Sequence, residues 1–170
     1  MISRAEKFSK VLRRKVESYG DPYLADLKPN EVAICRECRS VYAGKRWELE
    51  SRASKDLENA KNIVETMCPA CEKIRDHMPG GIVRLMGRFV MEHEEEIVNL
   101  LHHQNDAAME NNPLERIMDI EDSGGGLVVM TTNERLAQKI GRALHKSYAG
   151  AVEYKWSKGT KLARVNWMRD

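Results

Sequence analysis

Apolar residues recur at helical spacing in some stretches of the chain and alternate with polar residues in others, and the two rhythms mark out its elements. Over residues 3–19, Phe8, Leu12 and Tyr19 share a face with Val11 and Val16 at its edges, while Arg4, Lys7, Lys10, Arg13, Arg14 and Lys15 cover the remainder; Gly20-Asp21-Pro22 ends this predicted helix. Residues 20–33 read as an extended linker. Leu49, Ala53, Leu57, Ala60 and Val64 fall at helical steps and predict a helix within 47–67. Pro79-Gly80-Gly81 is a break, and Ile82 to Met86 reads as a short strand.

A second helix is predicted over 89–110, with Val90, Ile97, Leu100 and Leu101 inward and Glu92, Glu94, Glu95 and Glu96 outward. Ile117, Met118 and Ile120 suggest a strand, Ser123-Gly124-Gly125-Gly126 a hairpin turn, and Leu127 to Met130 the returning strand. Thr131-Thr132-Asn133 offers N-caps to a helix over 133–148. Val152, Tyr154 and Trp156, then Ala163, Val165 and Trp167, alternate with polar residues on either side of a turn at Ser157–Thr160. They predict two paired strands with both tryptophans buried. From residue 81 the order is β-α-β-β-α-β-β, an α+β, ferredoxin-like two-layer layout with one added strand.

The four cysteines are Cys35-Arg-Glu-Cys38 and Cys68-Pro-Ala-Cys71, with 29 residues between the pairs. Two residues between thiolates let the chain turn sharply and aim both sulfurs at one ion, and zinc takes four such ligands. A redox dithiol, a pair of disulfides or four unrelated thiols are the competing readings; two pairs in one chain with no cysteine left over favour one structural Zn(2+) in a ribbon or treble-clef-like module. Three segments follow: a basic helix and linker over 1–31, a four-cysteine zinc module over 32–78, and an α+β sandwich over 79–170.

Charge sharpens the picture. The net charge is only +2, but residues 1–78 carry 16 basic and 13 acidic side chains, residues 79–131 carry 3 and 10, and residues 132–170 carry 9 and 3. Basic ends flanking an acidic middle suit a polyanionic partner. On the 133–148 helix, Arg135, Lys139, Arg142 and Lys146 form a stripe with no acid of its own, apart from Leu136, Ile140 and Leu144. Such a row can track a phosphate backbone, or it can be an ordinary solvated face. Lys10, Arg13 and Arg14 on the first helix are further candidates. So are Arg36, Arg39, Lys45 and Arg46, which lie around Tyr42 and Trp47 near the first cysteine pair. Trp47 is expected to cover the metal module rather than to stack on a base.

Catalytic motifs are missing. His93-Glu94-Glu95-Glu96-Ile97 lacks the second histidine of a zinc-protease helix, and no phosphate-cradling glycine loop or Ser/His/Asp set can be assembled. His102-His103 reads as helix surface, and Asp119, Glu121 and Asp122 as strand-end and turn residues. The chain is expected not to be an enzyme and to take no small-molecule substrate. No apolar run approaches the roughly 18 residues of a bilayer span, mean hydropathy is −0.57, and no apolar signal core follows the N-terminus. A cytoplasmic protein without a membrane partner is expected.

With these motifs in hand, the chain resembles the zinc module and middle α+β domain of the archaeal and eukaryotic adapter family that escorts the large ribosomal subunit (the nonsense-mediated-decay-three type). The resemblance lies in the two cysteine pairs, Gly81-Ile82-Val83-Arg84-Leu85, Gly126 to Thr132, and Leu136 to Leu144 leading to Tyr148-Ala149-Gly150-Ala151-Val152. It is similar also to a bacterial family of short zinc-containing proteins with the same order of motifs. The adapters carry more cysteines and continue into a further β domain. The resemblance implies a zinc-stabilised, non-catalytic protein that binds ribosomal RNA or a ribosomal particle. The alternative is a protein–protein adapter that presents the zinc module and the acidic helix to a protein partner.

Overall fold

β-Branched and small apolar residues near the first cysteine pair build a four-stranded sheet from β1 (Val32–Cys35), β2 (Val41–Ala43), β3 (Arg46–Glu48) and β4 (Ile63–Thr66). The computed structural model describes residues 27–28, 30–159 and 161–170; the helix expected over 3–19, with Lys10, Arg13 and Arg14, lies outside the described residues. The strand order is β3-β2-β1-β4. β1 and β4 run parallel, Val32 opposite Ile63 and Cys35 opposite Thr66. The helix expected within 47–67 is therefore largely replaced: only α1 (Ser54–Asn59) is helical, and it ends where Ala60 turns extended at ψ 128°. The cause is pairing. Ile63, Val64 and Thr66 find a strand partner in β1, and Trp47 finds one in Tyr42 of β2. Both override a weak helical rhythm. Val32 and Ala33, expected at the end of a linker, belong to β1, an inner strand of this sheet.

The remaining elements are α2 (Pro69–Arg75), β5 (Gly81–Met86), α3 (Arg88–Glu92), α4 (Glu94–Asn111), β6 (Ile117–Asp122), β7 (Gly126–Thr131), α5 (Glu134–Tyr148), β8 (Ala151–Trp156) and β9 (Ala163–Met168). The helix expected over 89–110 is broken at His93, whose φ of −126° separates α3 from α4. Asn133 caps α5, its side chain accepting from the Leu136 N–H at 3.0 Å. The two threonines expected beside it as caps do other work: Thr131 Oγ1 donates to Asn133 O, and Thr132 Oγ1 donates to Leu114 O and accepts from the Arg116 N–H. No helix among the described residues is long and apolar enough to cross a membrane.

The second sheet is ordered β6-β7-β5-β9-β8. The succession of elements is the expected one, but the placement of the last two strands departs from a plain ferredoxin-like sheet. β9, not the strand that follows α5, lies beside β5 and runs parallel to it, and β8 is pushed to the edge. Burial explains the exchange. Ala163, Val165 and Trp167 of β9 are all essentially inaccessible, whereas no residue of β8 is fully buried. The strand with the more apolar face takes the inner position. Helices cover one face only, where Val83, Leu85, Leu127, Val129, Val165 and Trp167 meet Ile97, Leu101, Leu136, Ile140 and Leu144. Gly141 permits the close approach of α5: a Cβ there would sit 2.7 Å from Val165 Cγ1.

Trp156 and Trp167 do lie on paired strands, but only Trp167 is buried; Trp156, opposite Ala163 at the end of the edge strand, is 41% exposed. Trp167 also donates its ring N–H to Ala149 O at 2.8 Å. Replacing Trp167 by Ala should therefore cost about 3–5 kcal/mol, and Trp156→Ala no more than about 0.5 kcal/mol; urea unfolding of the two variants gives the comparison directly.

Candidate metal centre

The parallel pairing of β1 with β4 ends at Cys35 opposite Thr66, so the chain leaving β4 reaches Cys68 beside Cys35. The first pair of cysteines is held by a tight turn: Arg39 N–H donates to Cys35 O at 3.0 Å, and Cys35 N–H to Ser40 O at 2.8 Å. Arg39 takes a left-handed φ of 65° to close it. The second pair sits at the start of α2, with Cys68 as N-cap, Pro69 at the first helical position and Cys71 in the first turn. That arrangement uses the fixed φ of proline where its missing N–H costs nothing.

All four sulfurs lie within 4.8 Å of one another, and Cys35, Cys68 and Cys71 are buried while Cys38 is half-buried. A tetrahedron with sulfurs about 2.3 Å from a central ion has edges of about 3.8 Å. The Cys38–Cys68 separation is 3.7 Å. The donor set fits a four-thiolate metal ion. Backbone N–H groups point at the sulfurs: Cys68 N to Cys35 Sγ at 3.3 Å and Cys71 N to Cys68 Sγ at 3.4 Å. Ser40 Oγ lies 3.1 Å from Cys38 Sγ. Trp47 is buried against the cluster with Tyr42 packed on it, ring centroids 5.6 Å apart, so it covers the module as expected.

The thiols of the cluster perturb one another strongly. The hydrogen bond shared by Cys38 and Cys68 holds the Cys38 thiol far below its ordinary range, against the pull of burial, and pushes Cys68 far above it. Burial, first of all, pushes Cys71 up to about 11. Thiols packed this closely cannot all ionise alone; a divalent cation bound among them would replace their protons.

One further residue belongs to the site and carries no motif. Arg116, just before β6, aims Nη2 at Cys68 Sγ (3.2 Å), Cys38 Sγ (3.5 Å) and Cys71 Sγ (3.5 Å). Leu114 packs against the same cluster.

No family model and no curated protein matches the chain.

Among the described residues, several of the basic side chains singled out above have acidic partners. Arg36 faces Glu37 at 4.0 Å, Arg39 meets Glu50 at 2.9 Å, and Arg46 forms a salt bridge with Glu48 at 2.6 Å. Lys45, at φ 68°, is exposed in the β2–β3 turn. On α5, Arg135, Arg142 and Lys146 are exposed, opposite the buried Leu136, Ile140 and Leu144. The stripe is nevertheless not free of acid. Glu115, 2% exposed, takes Lys139 Nζ at 2.8 Å and Arg135 Nη1 at 3.7 Å. This acid comes from a separate segment, so the helix sequence alone does not reveal it. His102, His103, Asp119, Glu121 and Asp122 are all surface residues, and Asp122 Oδ1 caps the hairpin turn by accepting from Gly124 N–H at 2.7 Å.

Titrating the metal-free protein with Co(2+) should give thiolate-to-metal charge-transfer absorption that saturates at one ion per chain. Cys68→Ser should weaken binding by well over about 100-fold, because loss of a ligand exceeds loss of an outer partner. Cys68 and Cys71, both pushed up, must shed their protons to bind, so affinity should fall as pH is lowered.

Proposed function

We propose that the metal is zinc, one structural ion per chain, and that the chain is a non-catalytic RNA-binding protein that associates with ribosomal RNA or ribosomal particles in the cytoplasm. Four thiolates leave no open coordination position, which suits a structural ion rather than a reactive one. The knuckle, hairpin and short helix that carry the sulfurs follow the order of a treble-clef-like module. The second sheet with its helices reads as a ferredoxin-like sandwich altered by the β8–β9 hairpin. The family resemblance to ribosomal-subunit adapters and to short zinc-containing bacterial proteins points the same way.

The observation that carries the RNA reading is the outward row on α5. Arg142 and Lys146 are exposed one turn apart, and neither has an ion-pair partner among the described residues. Arg135 extends the row at its start. Exposed cations of this kind meet phosphates without regard to sequence and release counterions when they do. The alternative, a protein adapter, is favoured by a different surface: Glu92, Glu94, Glu95 and Glu96 are all exposed on α3 and α4 and suit a basic protein partner.

The test separates the two halves of the α5 row. Arg142→Gln with Lys146→Gln should weaken binding to many RNAs alike and lower the salt slope by about two contacts' worth, with stability unchanged within about 0.5 kcal/mol. If the double variant binds ribosomal particles as the parent does across the salt range, while a basic protein partner is captured through the acidic helix, the adapter reading replaces this one. Lys139→Met should instead act on folding. It strips the nearer partner from a buried carboxylate and should destabilise the fold by about 3 kcal/mol, read by urea unfolding.

A further inference from the structure

We propose that Arg116 is the outer-sphere partner of the metal centre and the strut through which metal occupancy fixes the second sheet's unit against the first; this rests on the reading of the four cysteines as a metal site. The charge requires such a partner. Four thiolates around a divalent ion leave two negative charges in a largely buried place, and a buried excess of charge is costly unless hydrogen-bonded and paired. A single guanidinium nitrogen stands 3.2–3.5 Å from three sulfurs, drawn from both cysteine pairs, and therefore sits over the triangle of Cys38, Cys68 and Cys71. A planar, always-charged guanidinium suits this better than an ammonium, because its remaining N–H groups stay available for anchoring.

The anchoring is present. Arg116 Nε donates to Pro113 O at 2.8 Å, and Arg116 N–H donates to Thr132 Oγ1 at 2.9 Å. Thr132 in turn donates its hydroxyl to Leu114 O at 2.6 Å and its N–H to Arg116 O at 2.9 Å. The segment 113–116 is thus tied to the β7–α5 junction, and Glu115 is tied to Lys139 of α5. Arg116 and Leu114 present this preassembled segment to the sulfurs, one by charge and the other by apolar packing. A metal ion fixes the sulfurs as an array of acceptors; its removal takes that array away and leaves the guanidinium without it. Metal binding and docking of the two units are then one linked equilibrium, in which each strengthens the other by the same factor.

The experiment uses the full chain as wild type, Arg116→Gln and Arg116→Lys, with Co(2+) as the probe in competition with a chelator, and amide hydrogen exchange read at Arg116 and Thr132. Arg116→Gln should lower Co(2+) affinity by about 10- to 100-fold, and Arg116→Lys, which keeps the charge, by less. In the wild type, removing the metal should speed exchange at the two amides by about 10-fold or more; in Arg116→Gln exchange should no longer depend on metal. Equal affinity in wild type and Arg116→Gln, or exchange in the wild type that ignores the metal, overturns this inference alone. A wild type that shows no cobalt–thiolate absorption overturns the metal centre and this inference with it.

Discussion

The first sheet depends on bringing two tight turns, one at Cys35–Cys38 and one at Cys68–Cys71, to a single point. Its own apolar core is slight. Outside the sulfur cluster, the fully buried residues are small ones such as Ala33, Val41, Ala43 and Ala53. Four short strands and two short helices around so few side chains bury too little surface to offset the chain entropy they give up. A metal on the sulfur cluster would supply what the core lacks: the unfolded chain has no such site, so its binding free energy would be folding free energy. The parallel register of β1 and β4 is the geometric half of the same constraint. Shifting it by one residue would turn β4 over and carry Cys68 away from Cys35.

Local chemistry made the centre legible in the sequence. Each Cys-x-x-Cys pair is a self-contained turn, and two pairs with no cysteine left over point to one ion. The central part of the second unit was legible for a similar reason: β5, the β6–β7 hairpin and α5 announce themselves by periodicity and by turn residues such as Gly124 and Asn133. What was hidden depends on distant partners. The weak helical rhythm over 47–67 gives way to strand pairing with β1 and β2. The order of β8 and β9 is decided by which apolar face the helices cover, and this left Trp156 at the rim although its strand alternates as Trp167's does. Arg116 lies 78 residues from Cys38 in the chain, and no local pattern distinguishes it from any other arginine.

Residues 113–116 join the two units by using each residue differently. Pro113 offers its carbonyl to Arg116, Leu114 packs on the sulfur cluster, Glu115 is buried against α5, and Arg116 reaches the sulfurs. Opposite charges on adjacent residues are thereby sent in opposite directions, the acid into the second unit and the base towards the first. Neither burial would be tolerable without its partner, since an isolated buried charge is far more costly than a paired one.

This division of labour changes what the row on α5 can do. Seen as a sequence, Arg135, Lys139, Arg142 and Lys146 are four equivalent cations on one helix face. In the fold, the first two share Glu115, and the field they project outward is reduced by that carboxylate. Arg142 and Lys146, further along the helix, project theirs in full. The row is therefore graded: its start is tied to Glu115 of the junction segment, and its end is exposed. A phosphate reaching the start of the row would compete with Glu115 for Arg135 and Lys139. A phosphate at the end of the row, beside Arg142 and Lys146, would meet no such competition among the described residues.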